Sequence, residues 1–228
     1  MKINRLAFPL ALTGMVTAGA AFADERFAGL SAGVQLGYVQ AQTIHDDPES
    51  DCWYWCMNGV RRTDDGGSFG AKVDYNIVNG ALLYGVRGEL SVTSVDTKVE
   101  MVPTDPSYEL GTKTKLLGAL SGKVGVVSGK LAVYGLVGIA FADADQRYDE
   151  TDGTGEYFRR SGESTGFFFG VGTEYAISDT ASIGVDIGSY RFSEGQPTLL
   201  DSGGSPIGEY FPLQDRYMDL KVSYNIKF

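Results

Sequence analysis

The sequence has 228 residues, 43% of them hydrophobic and 12% aromatic, and its 29 acidic residues outnumber its 19 basic ones. A formal net charge of −10 excludes the basic surface that nucleic-acid binding needs, so we expect no nucleic-acid partner. After the first 23 residues, no run approaches the roughly 20 consecutive apolar residues of a membrane helix, which leaves strands as the only means of spanning a bilayer.

The N-terminal residues 1–23 have the features of a secretory signal peptide. Lys2 and Arg5 precede an apolar stretch, and Ala21-Phe22-Ala23 forms an A-x-A cleavage site. The mature chain is therefore predicted to begin at Asp24. No linker or shift in composition divides residues 24–228, so we expect them to form one domain.

Eight segments of the mature chain alternate apolar and polar side chains with a period of two, which is typical of strands with one apolar face. Short turns near residues 78, 128 and 178 alternate with four long connections, of about residues 42–67, 95–112, 142–164 and 191–216. In chain order, the predicted strands span about residues 26–41, 68–77, 81–94, 113–127, 131–141, 165–177, 181–190 and 217–228. The pattern predicts an all-β fold, a transmembrane eight-stranded antiparallel up-and-down β-barrel.

The charged residues within these predicted strands fall on the face opposite the apolar one. A Lys or Arg that faces lipid near mid-bilayer costs about 2 to 4 kcal/mol, so we expect these charges to face the lumen. An unpaired buried charge is costly, so they are expected to pair with one another. The predicted lumen charge network consists of Lys72, Asp74, Arg87, Glu89, Lys115, Lys123, Glu174, Asp186, Asp219 and Lys221, with Lys113 and Lys227 on the same face.

The fifth predicted strand has two apolar faces, so its orientation is ambiguous by pattern alone. Tyrosines near the short turns and the C-terminus are expected to form an aromatic girdle at one membrane interface. Including Tyr134 in this girdle favours an outward even face for the fifth strand. The predicted girdle consists of Tyr75, Tyr84, Tyr134, Tyr175 and Tyr224. Glycines on the inward faces, such as Gly172 and Gly184, are expected to leave space that water occupies.

The last predicted strand has apolar residues at every even position, ending on Tyr224, Ile226 and Phe228. A strand of this kind can pair with the first strand and leave the barrel without an edge. Its aromatic last residue and the apolar residues at alternate positions resemble the assembly signal of bacterial outer-membrane proteins. This resemblance implies the barrel-assembly machinery as a partner during biogenesis.

Several segments together resemble the small outer-membrane β-barrel proteins of the porin-like family of alphaproteobacterial surface proteins, which share the architecture of OmpA-type transmembrane domains. The segments are LSAGVQLGY (30–38), FGAKVDYNI (69–77), YGVRGEL (84–90), LAVYGLVGIAF (131–141), GFFFGVGTEYAISDTASIGVDI (166–187) and LKVSYNIKF (220–228). The family usually shows a charged or aromatic residue where this chain has Gly188. The resemblance implies the cell outer membrane as the location, and it carries over no ligand.

The asymmetry of the connections predicts that the long loops are extracellular and the short turns periplasmic. We therefore expect outer-membrane lipids and lipopolysaccharide as neighbours, and a monomer. Most of the negative charge falls on the long loops. Lipopolysaccharide phosphates are thus expected to meet this surface through divalent cations, because like charges repel unless they are bridged.

Few residues invite a chemical role. Cys52 and Cys56 lie in the first long loop of an exported protein, where a disulfide is expected. The aromatic residues between them, Trp53 to Trp55, favour a locally packed loop, and a contact surface for lipopolysaccharide or a partner is the alternative. A metal site formed by His45 with both thiols is not favoured. The acidic residues between 143 and 152 do not have EF-hand spacing, which favours a solvated acidic loop over a calcium site.

These features predict a protein with a structural or surface-interaction role in the Gram-negative envelope, with no catalysis and no cofactor. A narrow porin-like channel for small solutes is the alternative. A lipid A acyl hydrolase ranks third, and it would have to use His45, the only histidine. Side chains can just fill an eight-stranded barrel, so we expect water-filled pockets interrupted by salt bridges, not a continuous pore.

Overall fold

The structure, a computed structural model, describes residues 25–45, 60–102, 105–150, 157–192, 198–200, 204–209 and 213–228. The predicted signal peptide and the predicted disulfide between Cys52 and Cys56 lie outside the described residues, and both stay predictions.

Strands make up almost all of the described chain, preceded by a single turn of 3-10 helix, η1, at Glu25–Phe27. The strands are β1 (Gly29–His45), β2 (Val60–Asn79), β3 (Leu82–Thr93), β4 (Asp96–Val102), β5 (Asp105–Ser128), β6 (Leu131–Glu150), β7 (Tyr157–Ala176), β8 (Ala181–Phe192), β9 (Thr198–Leu200), β10 (Pro206–Glu209) and β11 (Leu213–Lys227). No helix within the described residues is long and apolar enough to cross a membrane.

Eight of these strands form a closed antiparallel barrel, which confirms the predicted fold class. Strands β1, β2, β3, β5, β6, β7, β8 and β11 pair in that order around the ring. The ring closes where β11 pairs with β1, from Ser31 opposite Lys227 to His45 opposite Leu213. Strand β4 extends β5 as a hairpin, and β9 pairs with β10 and at one position with β7.

The barrel strands extend much further than predicted at the end of the barrel away from the short turns, which we call the long-connection end. Strand β6 continues to Glu150, so the acidic residues from Asp143 to Glu150 belong to a strand and not to a loop. Alternation of apolar and polar side chains marks only the part of a strand that faces lipid. Backbone hydrogen bonds between strands need no apolar face, and here they continue beyond the lipid-facing part of each strand.

Large apolar side chains cover the outside of the barrel in a continuous band. Leu36, Val124, Val137 and Phe167 are among the most exposed, with Phe167 66% exposed. Such a surface is far larger than the apolar patches of soluble monomers, and it matches the outward band of a membrane barrel. Four of the five predicted girdle tyrosines, Tyr75, Tyr84, Tyr175 and Tyr224, lie on this outer face near the short-turn end.

The prediction for the fifth tyrosine, Tyr134, is wrong, because its side chain lies in the lumen and is only 3% exposed. The even face of β6 therefore points inward, and the odd face, with Val133 and Val137, points to lipid. The pairing of the strands explains this orientation. Tyr134 lies directly opposite Gly125 on β5 and Gly172 on β7, and directly paired residues share a face. The two glycines leave room for the ring inside the barrel.

Lys115 is a second correction, since it lies on the outer face with its side chain 45% exposed and not in the lumen. A β-bulge between Thr114 and Leu116 leaves Lys115 without a partner on β6. An extra residue reverses the alternation beyond it. Above the bulge, Thr112 and Thr114 face inward and Lys113 outward, which also corrects the predicted inward position of Lys113.

Candidate functional site

The lumen of the barrel contains the buried charges of the protein. Nine of the ten predicted network residues lie there, and Lys115 is the exception described above. The nine buried residues are Lys72, Asp74, Arg87, Glu89, Lys123, Glu174, Asp186, Asp219 and Lys221. They separate into two groups of contacts, one nearer the short turns and one above it.

The lower charge cluster is centred on Arg87, whose side chain is fully buried. Arg87 Nε donates to Asp74 Oδ1 at 2.8 Å, and Nη1 donates to Asp186 Oδ1 at 2.9 Å. Lys72 Nζ donates to the other oxygen of Asp186 at 3.1 Å. Lys123 Nζ on β5 donates to Asp74 Oδ1 at 3.2 Å. One set of ion pairs therefore connects four strands, β2, β3, β5 and β8.

Two further residues complete the lower charge cluster, Tyr134 and Glu174. The Tyr134 hydroxyl donates to Asp186 Oδ1 at 2.8 Å and accepts from Arg87 Nη2 at 3.1 Å. The ammonium of Lys123 lies 4.0 Å from the centroid of the Tyr134 ring, a cation–π geometry. Lys123 Nζ also lies 3.6 Å from Glu174 Oε2. The phenol thus connects cations and carboxylates that come from opposite walls.

The lower charge cluster is electrically balanced, with three cations facing three carboxylates. The cations are Lys72, Arg87 and Lys123, and the carboxylates are Asp74, Glu174 and Asp186. Balance matters because removing one member of a buried pair typically costs about 3 to 5 kcal/mol, as the remaining charge is left uncompensated. The cluster therefore connects the walls firmly across the lumen.

The upper charge cluster comprises Glu89, Tyr190, Asp219 and Lys221. Lys221 Nζ forms ion pairs with Glu89 Oε1 and, at 3.0 Å, with Asp219 Oδ2. The Tyr190 hydroxyl lies 2.7 Å from Glu89 Oε1 and 2.9 Å from Asp219 Oδ2. The ring of Phe168 packs on Tyr190 with their centroids 4.8 Å apart. Here a second set of long side chains fills the cross-section.

Apolar side chains close the lumen at both ends of these charges. The floor, at the short-turn end, contains Phe27 from η1 with Leu83, Val127, Ala132 and Ala176, all at most 5% exposed, beside the buried polar side chains of Asn76, Ser182 and Asn225. Lys227 Nζ donates to the carbonyl oxygen of Glu25 and so fixes η1 beneath the barrel.

The ceiling, above the upper charge cluster, is built largely from Val39, Val95, Leu117, Phe192 and Tyr217. Phe192 and Tyr217 meet edge to face with centroids 5.6 Å apart, and the Tyr217 hydroxyl lies 2.8 Å from Thr114 Oγ1. The charges therefore lie between two apolar layers.

Glycines on the lumen wall provide space for these side chains. At Gly172 and Gly188, protein atoms occupy that space. A Cβ added at Gly172 would lie 2.6 Å from Tyr134 Cε2, and one added at Gly188 would lie 2.9 Å from Phe168 Cε2 and even closer to Asp219. The expectation of water beside Gly172 is therefore wrong, because the ring of Tyr134 occupies that volume.

Sequence reasoning missed three members of the site, Tyr134, Phe168 and Tyr190. A signal for Tyr134 was present in the turn at Ser128-Gly129. A short turn determines the register of its hairpin, and this one places Tyr134 opposite Gly125, on the same face as Lys123, which was predicted to point inward. For Phe168 and Tyr190 the pattern placed the side chains inward without assigning a role.

The other candidate residues do not assemble into a reactive centre in the described part of the chain. No group of three or more His, Cys, Asp or Glu side chains there could hold a metal ion. His45 is the last residue of β1, and its backbone lies opposite Val60 and Leu213. The buried ion pairs and hydrogen bonds of the lumen connect the walls of the barrel to one another.

Comparisons with known proteins agree with this architecture. The model of a protein family described as "Outer membrane protein beta-barrel domain" matches residues 8–228. A comparison with curated proteins found no significant match.

Among solved structures, the outer membrane protein OprG from Pseudomonas aeruginosa is similar with a TM-score of 0.59 and 12% identity, over 88% of this chain and 96% of that chain. Ail, the attachment invasion locus protein of Yersinia pestis, has a TM-score of 0.43 and 14% identity, over 87% of this chain and 99% of that chain. The outer membrane protease OmpT from Escherichia coli has a TM-score of 0.44 and 8% identity, over 88% and 97%. At such identities, the likeness to OprG concerns the fold alone.

Proposed function

Because the chain belongs to the outer membrane protein beta-barrel domain family, we propose that it is a sealed barrel with a structural or surface-interaction role in the Gram-negative outer membrane, and not an enzyme. The long-connection end faces the cell exterior and the short turns face the periplasm. Outer-membrane lipids and lipopolysaccharide surround a single barrel. The surface that meets partners is then the one formed by the extended strands and long loops.

The observation that carries this proposal is the filling of the lumen. From the short-turn end upward, an apolar floor, two charge clusters and an apolar ceiling follow one another. An eight-stranded barrel is only just wide enough for side chains to fill, and here long and aromatic side chains fill it. A permeant ion would have to cross a floor and a ceiling built largely from packed apolar side chains, and it would have to break the paired charges between them. On this proposal the barrel carries no ion current.

Single-channel recording on purified, folded protein in planar bilayers tests the proposal. We expect no steady current over the voltage range that the bilayer tolerates. Heat-modifiable migration on a denaturing gel of the same preparation shows that the barrel is folded. Steady, unitary currents from folded protein would overturn the proposal.

A narrow channel for small solutes is the second candidate, and one observation favours it. Several inward polar atoms, among them Gln35 Oε1, Ser121 Oγ and Asn225 Oδ1, have no hydrogen-bond partner in the protein. Buried polar atoms of this kind bind water. If these waters connect across the ceiling and floor, currents will appear and will depend on Arg87 and Glu89. If they occupy separate pockets, as the apolar layers favour, no current will appear.

The absence of catalysis is part of the proposal and has its own test. An acyl hydrolase acting on lipid A would release fatty acyl chains from it. We expect the mass spectrum of lipid A from cells that produce the protein to match that from cells that lack it. Lipid A that is lighter by one acyl chain in cells with the wild-type protein, but not in cells with His45→Ala, would favour an acyl hydrolase.

A further inference from the structure

Besides Lys113 and Lys115, two arginines depart from the rule that strand charges face the lumen. The structure extends β8 to Phe192 and begins β11 at Leu213, which brings Arg191 and Arg216 into the barrel wall. Both alternate with inward neighbours, Tyr190 and Phe192 on β8 and Asp215 and Tyr217 on β11, which are all buried. Arg191 is exposed and Arg216 half-buried. Both guanidinium groups are thus carried by the outer, lipid-facing side of the barrel.

The two arginines lie directly opposite each other in the ladder between β8 and β11. Like charges placed directly opposite on one face of a sheet destabilise the pairing. Arg216 also has an interaction within the protein, whereas no ion pair is recorded for Arg191 among the described residues. The charge that an anion would stabilise is therefore that of Arg191, beside the second guanidinium of Arg216.

The position of the pair marks the upper border of the apolar band. Phe167, which is 66% exposed, lies opposite Arg191 on β7, and Gln42 lies opposite Arg216 on β1. Met218, two residues below Arg216, is exposed in the band. Four neighbouring strands therefore present a row with an aromatic ring, two guanidinium groups and an amide, and none of the four residues is acidic. In a membrane barrel, the border of the apolar band is expected where lipid head groups meet hydrocarbon.

We propose that Arg191 and Arg216, with Phe167 and Gln42 beside them, form a site for the phosphate group of lipopolysaccharide in the adjacent leaflet. Guanidinium groups bind phosphate through paired N–H donors, and an arginine pair can bind one phosphate from two sides. Gln42 adds an amide donor. Phe167 and Met218 offer apolar surface to the acyl chains of the same lipid. The choice of this lipid rests on the proposed orientation of the barrel, whereas the phosphate chemistry does not.

This contact differs from cation bridging by the acidic loops, because it is direct. Chelation of divalent cations removes bridged lipid and leaves the arginine contact intact. The test therefore measures binding of labelled lipopolysaccharide to folded protein in detergent after treatment with EDTA. We expect the double variant Arg191→Gln and Arg216→Gln to bind at least about tenfold more weakly than the wild type, since each lost contact is a charge-assisted hydrogen bond.

Lys115→Gln is the matched control. It removes a cation from the outer face at the long-connection end, but one whose ammonium is already paired with Asp145 at 2.7 Å. We expect its binding to equal that of the wild type. The variant Arg191→Lys with Arg216→Lys keeps both charges, loses the paired donors and is expected to bind with intermediate affinity. If the double Gln variant does not fold, the single variant Arg191→Gln, at an exposed position, replaces it.

Three ligands separate the sources of phosphate. Lipopolysaccharide whose lipid A phosphates have been removed should lose the arginine-dependent binding. Phosphatidylglycerol micelles and millimolar inorganic phosphate should compete weakly. Equal loss in the Lys115 control, no loss in the arginine variants, or equal binding of dephosphorylated lipid would each overturn the proposal. Tight competition by phosphatidylglycerol or inorganic phosphate would overturn its choice of lipid. None of these outcomes depends on conductance, so they are distinct from a failure of the sealed-barrel function.

Discussion

Among single residues, Arg87 has the central position in the lower charge cluster, because three of its nitrogens donate hydrogen bonds to three partners on three different strands. They are Asp74, Asp186 and the hydroxyl of Tyr134. A guanidinium holds such partners in a fixed planar geometry that a lysine cannot reproduce. Arg87 is therefore the residue whose loss should disturb the lower charge cluster most.

We predict that Arg87→Met destabilises the folded barrel by about 3 to 5 kcal/mol, because Asp74 and Asp186 lose their shared partner inside the lumen. Urea titration of the protein in lipid vesicles, followed by circular dichroism, measures the change. Lys115→Met is the control, since its pair with Asp145 is exposed to solvent, and its unfolding midpoint should equal that of the wild type. Equal midpoints for Arg87→Met and the wild type would contradict the prediction.

A second prediction concerns Gly172, where an added Cβ would meet Asp186 Oδ1 and, at 2.6 Å, the ring of Tyr134. Gly172→Ala should destabilise the wild-type barrel by about 1 to 3 kcal/mol through overpacking. In a Tyr134→Ala background the ring is absent and Asp186 loses its contact with the phenol hydroxyl, so the carboxylate can shift and the same substitution should cost less. A double-mutant cycle in urea gives the coupling between the two positions. Additive effects would show that the ring is not what the glycine accommodates.

The positions of the strands could be predicted from the sequence. Which face of a strand points to the lumen could be predicted only where one face is polar. All eight barrel strands were predicted, since lipid on one side and packed polar groups on the other produce strict alternation. Strand β6 has two apolar faces, so alternation does not predict which of them points to lipid. The bulge at Lys115 on β5 reverses the faces of the residues beyond it, Lys113 among them, and the alternation of single residues does not reveal where such a bulge lies. Arg191 and Arg216 were missed because one predicted strand ended at residue 190 and the next began at residue 217, each one residue short of its arginine.

The pairing of β11 with β1 closes the barrel, and Phe228 lies at its end. Its backbone N–H donates to the carbonyl oxygen of Leu30 at 2.9 Å, while its side chain is 77% exposed on the outer face. Little contact energy within the protein is therefore at stake in the ring itself. A defect caused by changing this ring would reflect assembly, in which the barrel-assembly machinery is the expected partner.

We predict that Phe228→Asp leaves unfolded protein in the periplasm, whereas Phe228→Tyr assembles normally. Cell fractionation and heat-modifiable migration measure the folded fraction in the membrane. For comparison, Phe228→Asp refolded from urea into detergent should reach the same barrel as the wild type, because the contacts within the protein are nearly unchanged. Normal membrane assembly of Phe228→Asp would show that this residue is not a signal.

At the scale of the whole molecule, the order of layers in the lumen predicts how the barrel could be opened. Disrupting the lower charge cluster alone, with Arg87→Ala and Tyr134→Ala, should give no current, because the floor, the upper charge cluster and the ceiling stay closed. Adding Phe27→Ala and Leu83→Ala removes the largest side chains of the floor, and adding Phe192→Ala and Tyr217→Ala removes those of the ceiling. Because the upper charge cluster also fills the cross-section, only a variant that combines all three sets with Glu89→Ala, Tyr190→Ala and Lys221→Ala should conduct in planar bilayers, provided that it folds by heat-modifiable migration. Currents from the first variant would contradict a sealed floor and ceiling.

The ladder between β5 and β6 continues from the turn beside Ser128 to Tyr108 opposite Glu150. At about 3.3 Å per residue, the 20 residues of β6 measure roughly 66 Å along the strand. Only about 9 to 11 residues of a tilted strand are needed to cross a bilayer. The remainder stands clear of the membrane as paired, twisted wall. With the long-connection end at the cell exterior, as proposed, a large particle that approaches the bilayer, such as an antibody or a phage, would touch this rim of the barrel before it reached the lipid.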